Sequence, residues 1–347
     1  MGSIPDDIRY LLRRHGGVIH ATEARESGIS RQRLARLVGS GRLVRPLPTM
    51  YADADPGQRL PPWEMFALCV AAFARNANEA LHLSGWSAAS MWGLPSHGRP
   101  PRYLEAIAPS RGSAGGWSSA VARVRRATLL EHHLDVARGA RVVSMGMAAA
   151  TVALEAPLPT ALRGADAAAR RGADLTEPSC LVAGWKGAAR ARWIAAHASP
   201  AVESPLESLG RFASIQAGLP GMVPNAWVGP GYPQFRVDGL WPHHWAAMEA
   251  DGAVKYNHRP DAHSIVLRQS ERDWILRNEC GLDLLRFGHK HTKDLDDLGT
   301  RMAGLLARNP ARSVPIQWWM HVPGTGPVEP APEDWPSPAP RCVRLPR

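Results

Sequence analysis

The chain has few cysteines, and they are not arranged as a set. Cys69, Cys180, Cys280 and Cys342 are widely scattered along 347 residues. No pair has the short spacing of a zinc site, and no framework of disulfides is indicated. We therefore expect reduced thiols, as in a cytoplasmic protein.

Long apolar runs are also missing. No stretch approaches the roughly 20 apolar residues that span a bilayer. The start of the chain, MGSIPDDIRYLLRR, carries acidic side chains where a signal peptide has its apolar core. These absences predict a soluble, cytoplasmic protein without a membrane partner.

Acidic residues are fewer than basic ones. The chain has 31 Asp and Glu against 41 Lys and Arg, a formal net charge of +10. Half of this excess lies in residues 1–50, which hold nine arginines and four acids. A balance this basic favours a polyanionic partner, with nucleic acid ahead of a membrane surface.

Residues 1–55 predict three short helices and a β-hairpin. Ser30 is a good N-cap for a helix, RQRLARLVGS, that stops at the glycines of 39–41, and the strands LVRPL and TMYA follow. This order is that of a winged helix-turn-helix DNA-binding domain. The side chains expected to contact nucleic acid are Arg31, Gln32, Arg33, Arg36 and Arg45. A solvated, arginine-rich face on a structural helical bundle is the alternative.

The rest of the chain predicts three further regions. Residues 56–200 alternate between helical and strand-like patterns and predict an α+β middle domain, in which we interpret His132-His133 as a polar surface pair in preference to a metal site. Residues 201–310 predict a small mixed sheet with helices on its faces. Residues 311–347 are rich in proline, and we expect an extended or disordered tail. The overall class is α/β, in several domains.

Carboxylates follow two apolar segments of the third region. Asp238 ends one segment, Glu249 ends the next, and Asp251 and Lys255 come soon after. If a turn joins the segments, both acids lie at one edge of a sheet, where they suit Mg²⁺. A nearby lysine would offset charge on a phosphate under attack. Taken singly, each aspartate precedes a glycine and also fits an ordinary turn.

The motifs SPLES, RVDGLWP, MEADGAVKY and LDLLRF occur in that order over about a hundred residues. They resemble the PD-(D/E)xK nuclease superfamily, in its branch of very-short-patch-repair endonucleases. The resemblance implies a restriction-endonuclease-like fold and a Mg²⁺- or Mn²⁺-dependent endodeoxyribonuclease. One departure is that Asp251 stands where the superfamily usually has its lysine, so that Lys255 would take the basic role.

The resemblance also implies roles for individual residues. Asp238, Glu249 and the backbone carbonyl of Ala250 would bind the metal, and Glu207 would hold a metal-bound water or a second metal. Lys255 would orient the attacking water. The remaining implied role is an extra ligand or a partner of the lysine for Asp251. Separately from the resemblance, Arg272 on the later helix is a candidate phosphate contact. A solvated helix residue is the alternative for Glu207.

The segments GGVIHATEARESGISRQRLARLVGSGRLVRPLPTMYA and LSGWSAASMWGLP resemble AbiEi-like antitoxins of abortive-infection toxin–antitoxin systems. Two functions follow. The first is a DNA-binding, metal-dependent endonuclease acting in phage defence. The alternative is a transcriptional regulator or antitoxin-like autorepressor with a catalytically inactive nuclease fold and a toxin partner encoded nearby. Whether the chain forms a homodimer stays open.

Overall fold

The computed structural model describes residues 4–54, 60–110, 115–251 and 262–346. These residues form a mixed α/β protein with twelve α-helices and several separate sheets, which confirms the α/β class. They divide into two compact units. Unit 1 is the chain up to Glu155 together with Glu177–Lys186, and unit 2 is Ala156–Thr176 together with the chain from Gly187 onward.

The first elements of unit 1 confirm the three predicted helices. They are α1 (Asp6–Arg14), β1 (Val18–His20), α2 (Ala21–Glu26), α3 (Arg31–Gly39), β2 (Leu43–Val44) and β3 (Met50–Asp53). The strands form an antiparallel sheet in the order β1-β3-β2. The hydroxyl of Ser30 accepts from the N–H of Arg33 at 3.2 Å and caps α3 as predicted. Ile8, Leu34 and Leu37 are buried in one core, because apolar residues recur at helical spacing.

The remainder of unit 1 surrounds a six-stranded sheet in the order β6-β7-β5-β4-β9-β8. Its elements are α4 (Pro62–Asn76), β4 (His82–Leu83), α5 (Gly85–Trp92), β5 (Leu104–Pro109), β6 (Gly115–Ser118), β7 (Ala122–Ala127), β8 (Leu134–Ala137), β9 (Ala140–Val143) and α6 (Met145–Ala153). The chain leaves this unit for α7 (Leu158–Arg170) and returns with α8 (Thr176–Leu181), whose residues from Glu177 onward belong to unit 1.

A half-buried carboxylate from the sheet caps α5. Glu105 of β5 accepts a hydrogen bond from the N–H of Trp86 at 2.8 Å. Burial raises the pKa of Glu105 to about 7. Gly85 has a φ of +51°, and a Cβ at this position would lie 2.3 Å from the carboxylate. Only glycine therefore fits the start of α5, which explains Gly85 in the SGWSAAS motif.

Unit 2 continues with a four-stranded sheet in the order β10-β11-β12-β13, in which only β12 and β13 are parallel. Its elements after α7 are α9 (Ala188–His197), α10 (Pro205–Gln216), β10 (Val223–Val228), β11 (Phe235–Trp241), β12 (Ala246–Ala250), α11 (Ala262–Asn278), β13 (Asp283–Phe287), α12 (Leu295–Arg308), β14 (Met320–Val322) and β15 (Gly326–Val328). Helices α10 and α12 pack on one face of the sheet through Leu206 and Leu298, and α11 packs on the other through Leu276.

The first part of the tail beyond residue 310 packs on unit 2, which differs from the extended or disordered tail predicted from its composition. Strands β14 and β15 pair as an antiparallel hairpin, and Trp319 forms an isolated bridge with Trp227 of β10. Ile316 and Trp318 are buried in the same core as Leu276. Proline fixes φ without preventing burial, and these large side chains cover apolar surface of the sheet.

Candidate acidic site and nucleic-acid surface

Asp238 and Glu249 lie side by side on neighbouring strands. The last paired residues of β11 and β12 are Gly239 and Met248, so the two acids occupy the next position on each strand and share a face. The prediction that Asp238 ends its strand is wrong. Strand β11 runs on to Trp241, because Leu240 and Trp241 are buried in the cores on either face of the sheet.

Glu249 is buried, and an arginine from α11 neutralises it. Nη2 of Arg272 donates to Oε1 of Glu249 at 2.6 Å and also to the backbone carbonyl of Arg236 at 2.6 Å. Burial raises the pKa of Glu249 above its ordinary value, although the hydrogen bond and charge of Arg272 oppose the rise and Asp251 adds to it. Arg272, expected to contact phosphate, therefore lies inside the acidic site.

A second arginine holds Asp251. Nη1 of Arg286 donates to both carboxylate oxygens of Asp251, at 2.9 and 3.1 Å. Nη2 of the same guanidinium donates to Asp273 of α11 at 2.6 Å. Strand β13 pairs in parallel with β12, and this pairing places Arg286 of β13 opposite Glu249 of β12. Arg286 thus links Asp251 to α11.

Glu207 is engaged at the start of α10. Its Oε2 accepts from the N–H of Glu203 at 2.9 Å and from Nδ2 of Asn225 at 2.8 Å. The hydroxyl of Ser204 accepts from the N–H of Glu207 and caps the start of α10. Glu207 is buried, and these bonds tie α10 to β10. Lys255 lies outside the described residues.

The three carboxylates are of the type that binds Mg²⁺, but their contacts are not those of a metal site. Glu249 and Asp251 accept from guanidinium groups, and Oδ2 of Asp238 accepts from the N–H of Ala250 at 2.6 Å. The expected ligand from Ala250 was its carbonyl oxygen. A cation would have to displace two arginines that already satisfy the acids. The residues as placed do not fit a magnesium ion.

Helix α3 presents a basic face. Arg31, Gln32 and Arg36 are exposed, while Leu34 and Leu37 point into the core. Leu34 and Leu37 are three residues apart and therefore share one face of the helix. The longer polar side chains of Arg31, Gln32 and Arg36 are left on the opposite face. Arg45 follows β2 and is also exposed.

Arg33 differs from the other predicted contacts on α3. Its guanidinium donates to both oxygens of Asp7 on α1, with Nη2 and Oδ1 3.0 Å apart. The hydrogen bond from Arg33 lowers the pKa of Asp7. This pair fixes α3 against α1.

A third group of polar residues lies in unit 1. His133 is buried, so the predicted surface pair is wrong for this residue. The exposed His132 contacts Glu177 of α8, 45 residues further along the chain. The two adjacent histidines can be recognised in the sequence. Their contact with Glu177 could not be predicted, because this residue lies far from them along the chain.

Within the described ranges, no helix is both long enough and apolar enough to cross a membrane.

Comparisons with known proteins bear on the N-terminal residues. Residues 6–52 match the family model described as transcriptional regulator, AbiEi antitoxin. No curated protein matches the chain. A solved structure, that of the RV2827C protein from Mycobacterium tuberculosis, is 17% identical with a TM-score of 0.34, over 60% of this chain and 82% of that one. The family match confirms the N-terminal part of the resemblance to AbiEi antitoxins.

Proposed function

We propose that the protein is a DNA-binding transcriptional regulator of the antitoxin type. The observation that carries this proposal is the coincidence of the antitoxin family match at residues 6–52 with the exposed basic face of α3. The antitoxin class also implies a protein toxin as partner. The acidic site of unit 2 is then a network of charges that stabilises the sheet.

The N-terminal elements act as a winged helix in this proposal. Helices α2 and α3 form the helix-turn-helix, α3 enters the major groove, and β2 and β3 form the wing. Gln32 and Arg36 contact base edges, and Arg31 and Arg45 contact phosphates. The Arg33–Asp7 pair keeps α3 in place without contributing to recognition.

Replacing Arg36 by alanine is expected to weaken specific DNA binding about 5- to 150-fold, equivalent to about 1–3 kcal/mol, because a charged donor to a base edge is lost. The measurement is fluorescence anisotropy with labelled duplexes from the region upstream of the protein's own coding sequence. A titration between about 50 and 200 mM salt gives the number of phosphates that the protein neutralises.

Arg192→Ala is the matched control, because it removes the same charge from an exposed position on α9 of unit 2. This variant should bind DNA like the wild type. Equal affinities for Arg36→Ala and Arg192→Ala would mean that α3 is not the recognition helix. Failure of the wild type to bind either the upstream DNA or any duplex selected from a random pool would refute the regulator.

A metal-dependent endodeoxyribonuclease is the second candidate. The grouping of Asp238, Glu249 and Asp251 on adjoining strands favours it, and the two arginines that neutralise this group oppose it. Supercoiled plasmid and single-stranded DNA, incubated with Mg²⁺ or Mn²⁺, are expected to stay intact with the wild type and with Glu249→Gln alike. Glutamine retains an acceptor for Arg272, so the variant should fold.

The wild type and Glu249→Gln are purified by the same procedure, so that a difference in cleavage reports on the substitution. Cleavage by the wild type that needs the metal and disappears in Glu249→Gln would establish the nuclease and assign it to this site. Equal cleavage by both proteins would indicate a contaminating enzyme.

A further inference from the structure

Three potential metal ligands lie close together in unit 1. They belong neither to the acidic site of unit 2 nor to the basic face of α3. Nε2 of His132 lies 2.9 Å from Oε2 of Glu177, and Nε2 of His133 lies 3.6 Å from the same oxygen. All three ligand atoms lie within 4.8 Å of one another, and among the described residues they are the only such group of His, Cys, Asp and Glu. The histidines follow β7 in a single turn of 3-10 helix, and Glu177 lies in the first turn of α8.

The two separations from Glu177 are close to those of a tetrahedral site. Metal–ligand distances of about 2.0–2.1 Å at a tetrahedral ion place neighbouring ligand atoms roughly 3.3 Å apart. The two distances to Glu177 lie on either side of this value. Small rotations of the exposed His132 and Glu177 side chains would equalise them, since these side chains are 60% and 45% exposed.

The surroundings of His133 orient its ring. Its Nδ1 lies 3.3 Å from the hydroxyl of Ser144, at the start of α6, and the side chain is 4% exposed. A metal-binding histidine typically makes a hydrogen bond through its second ring nitrogen, which fixes the ring and leaves the other nitrogen toward the ion. His133 thus forms a fixed inner wall, with His132 and Glu177 toward solvent.

We propose that His132, His133 and Glu177 bind one divalent transition-metal ion, Zn²⁺ by preference. Two imidazole nitrogens and one carboxylate oxygen are a common zinc ligand set, and water takes the fourth position. The ion joins the turn before β8 to the start of α8. It therefore anchors the Glu177–Lys186 segment to the rest of unit 1, from which it is separated in sequence by Ala156–Thr176.

The test is a calorimetric titration of untagged, chelator-treated full-length protein with Zn²⁺. One ion per chain is expected for the wild type. His132→Ala and Glu177→Gln each remove one exposed ligand and should lower the affinity by at least about 100-fold, more than the loss of a supporting residue usually costs. Ser144→Ala should lower it about 10-fold.

Two further variants separate this site from other sources of binding. His243→Ala alters the second His-His pair of the chain and should bind like the wild type. Cys180→Ser removes the exposed thiol three residues after Glu177 and should also leave binding unchanged. In addition, Co²⁺ should give the visible absorption of a four-coordinate site without a thiolate charge-transfer band.

Three results would overturn the proposal. They are absence of Zn²⁺ binding by the wild type, binding that survives both His132→Ala and Glu177→Gln, and binding that Cys180→Ser abolishes. In the first case the three residues form only an ion pair. In the other two the ion binds elsewhere. Thermal unfolding of each variant without metal verifies that it is folded.

Discussion

Replacing Arg272 by alanine is expected to lower the free energy of unfolding by about 3–5 kcal/mol near neutral pH, because it leaves a buried carboxylate without its partner. Glu249 keeps only 9% of its side chain exposed, and its ion pair with Arg272 has a nitrogen–oxygen distance of 2.6 Å. Urea denaturation followed by circular dichroism measures the change.

This loss depends on pH in a defined direction. Burial raises the pKa of Glu249, so the folded state binds this proton more tightly than the unfolded state, and stability falls as the pH rises above the unfolded pKa. Arg272 limits the effect by lowering the pKa. Without Arg272 the pKa rises further, and Arg272→Ala should be least harmful in mild acid, at about pH 5, and most harmful at about pH 8.

Arg277→Ala is the control, since Arg277 is exposed on the same helix and its loss should change stability by no more than about 0.5 kcal/mol. The double variant Arg272→Ala with Glu249→Gln should recover part of the loss, because the uncompensated charge is gone. A cost for Arg272→Ala no larger than for Arg277→Ala, at both pH values, would disprove the role of the pair.

Replacing Trp318 by alanine should cost about 3–5 kcal/mol of unfolding free energy, the usual effect of removing a large buried aromatic side chain. Trp318 is 2% exposed and packs edge-to-face on Trp335, with ring centroids 5.5 Å apart. Its Nε1 has no hydrogen-bond partner in the part of the chain that the structure describes, so apolar burial carries the contribution. Denaturation in urea again provides the measurement.

Two variants test this explanation. Trp318→Phe keeps an aromatic ring and should cost clearly less than Trp318→Ala. Val314→Ala changes an exposed side chain four residues earlier and should have little effect. If Trp318→Ala were as stable as Val314→Ala, the tail would contribute no packing to the sheet, as expected of the extended or disordered tail that its proline content predicted.

Local signals made the N-terminal elements predictable. The hydroxyl of Ser30, the glycines around residue 40 and leucines at helical spacing each act over a few residues, so a window of sequence contains the whole cause of α3. The same holds for β12, where Ala246 and Met248 lie in one core and Ala247 in the other. The pairing of Asp238 with Glu249 followed from the two strands being neighbours.

The functions of side chains were less predictable, because their partners are distant in sequence. Arg272 and Arg286 meet acids that lie 23 and 35 residues away, respectively. The resemblance implied a nuclease role for Glu207, but Asn225 and the N–H of Glu203 hold its carboxylate at a helix start. No sequence pattern marks such a choice between partners, since it depends on how α10 and α11 pack against the sheet.

The division of the chain into units limits how it can be taken apart. Unit 1 includes Glu177–Lys186, which lies between two stretches of unit 2, so no single cut gives two whole units. A recombinant fragment that ends at Glu155 lacks α8, and one that begins at Ala156 carries α8 without its sheet. The boundaries predicted at residues 55, 200 and 310 assumed domains joined end to end. Limited proteolysis between α6 and α9 should accordingly give a nicked protein whose fragments stay associated. It should not give two folded pieces that separate.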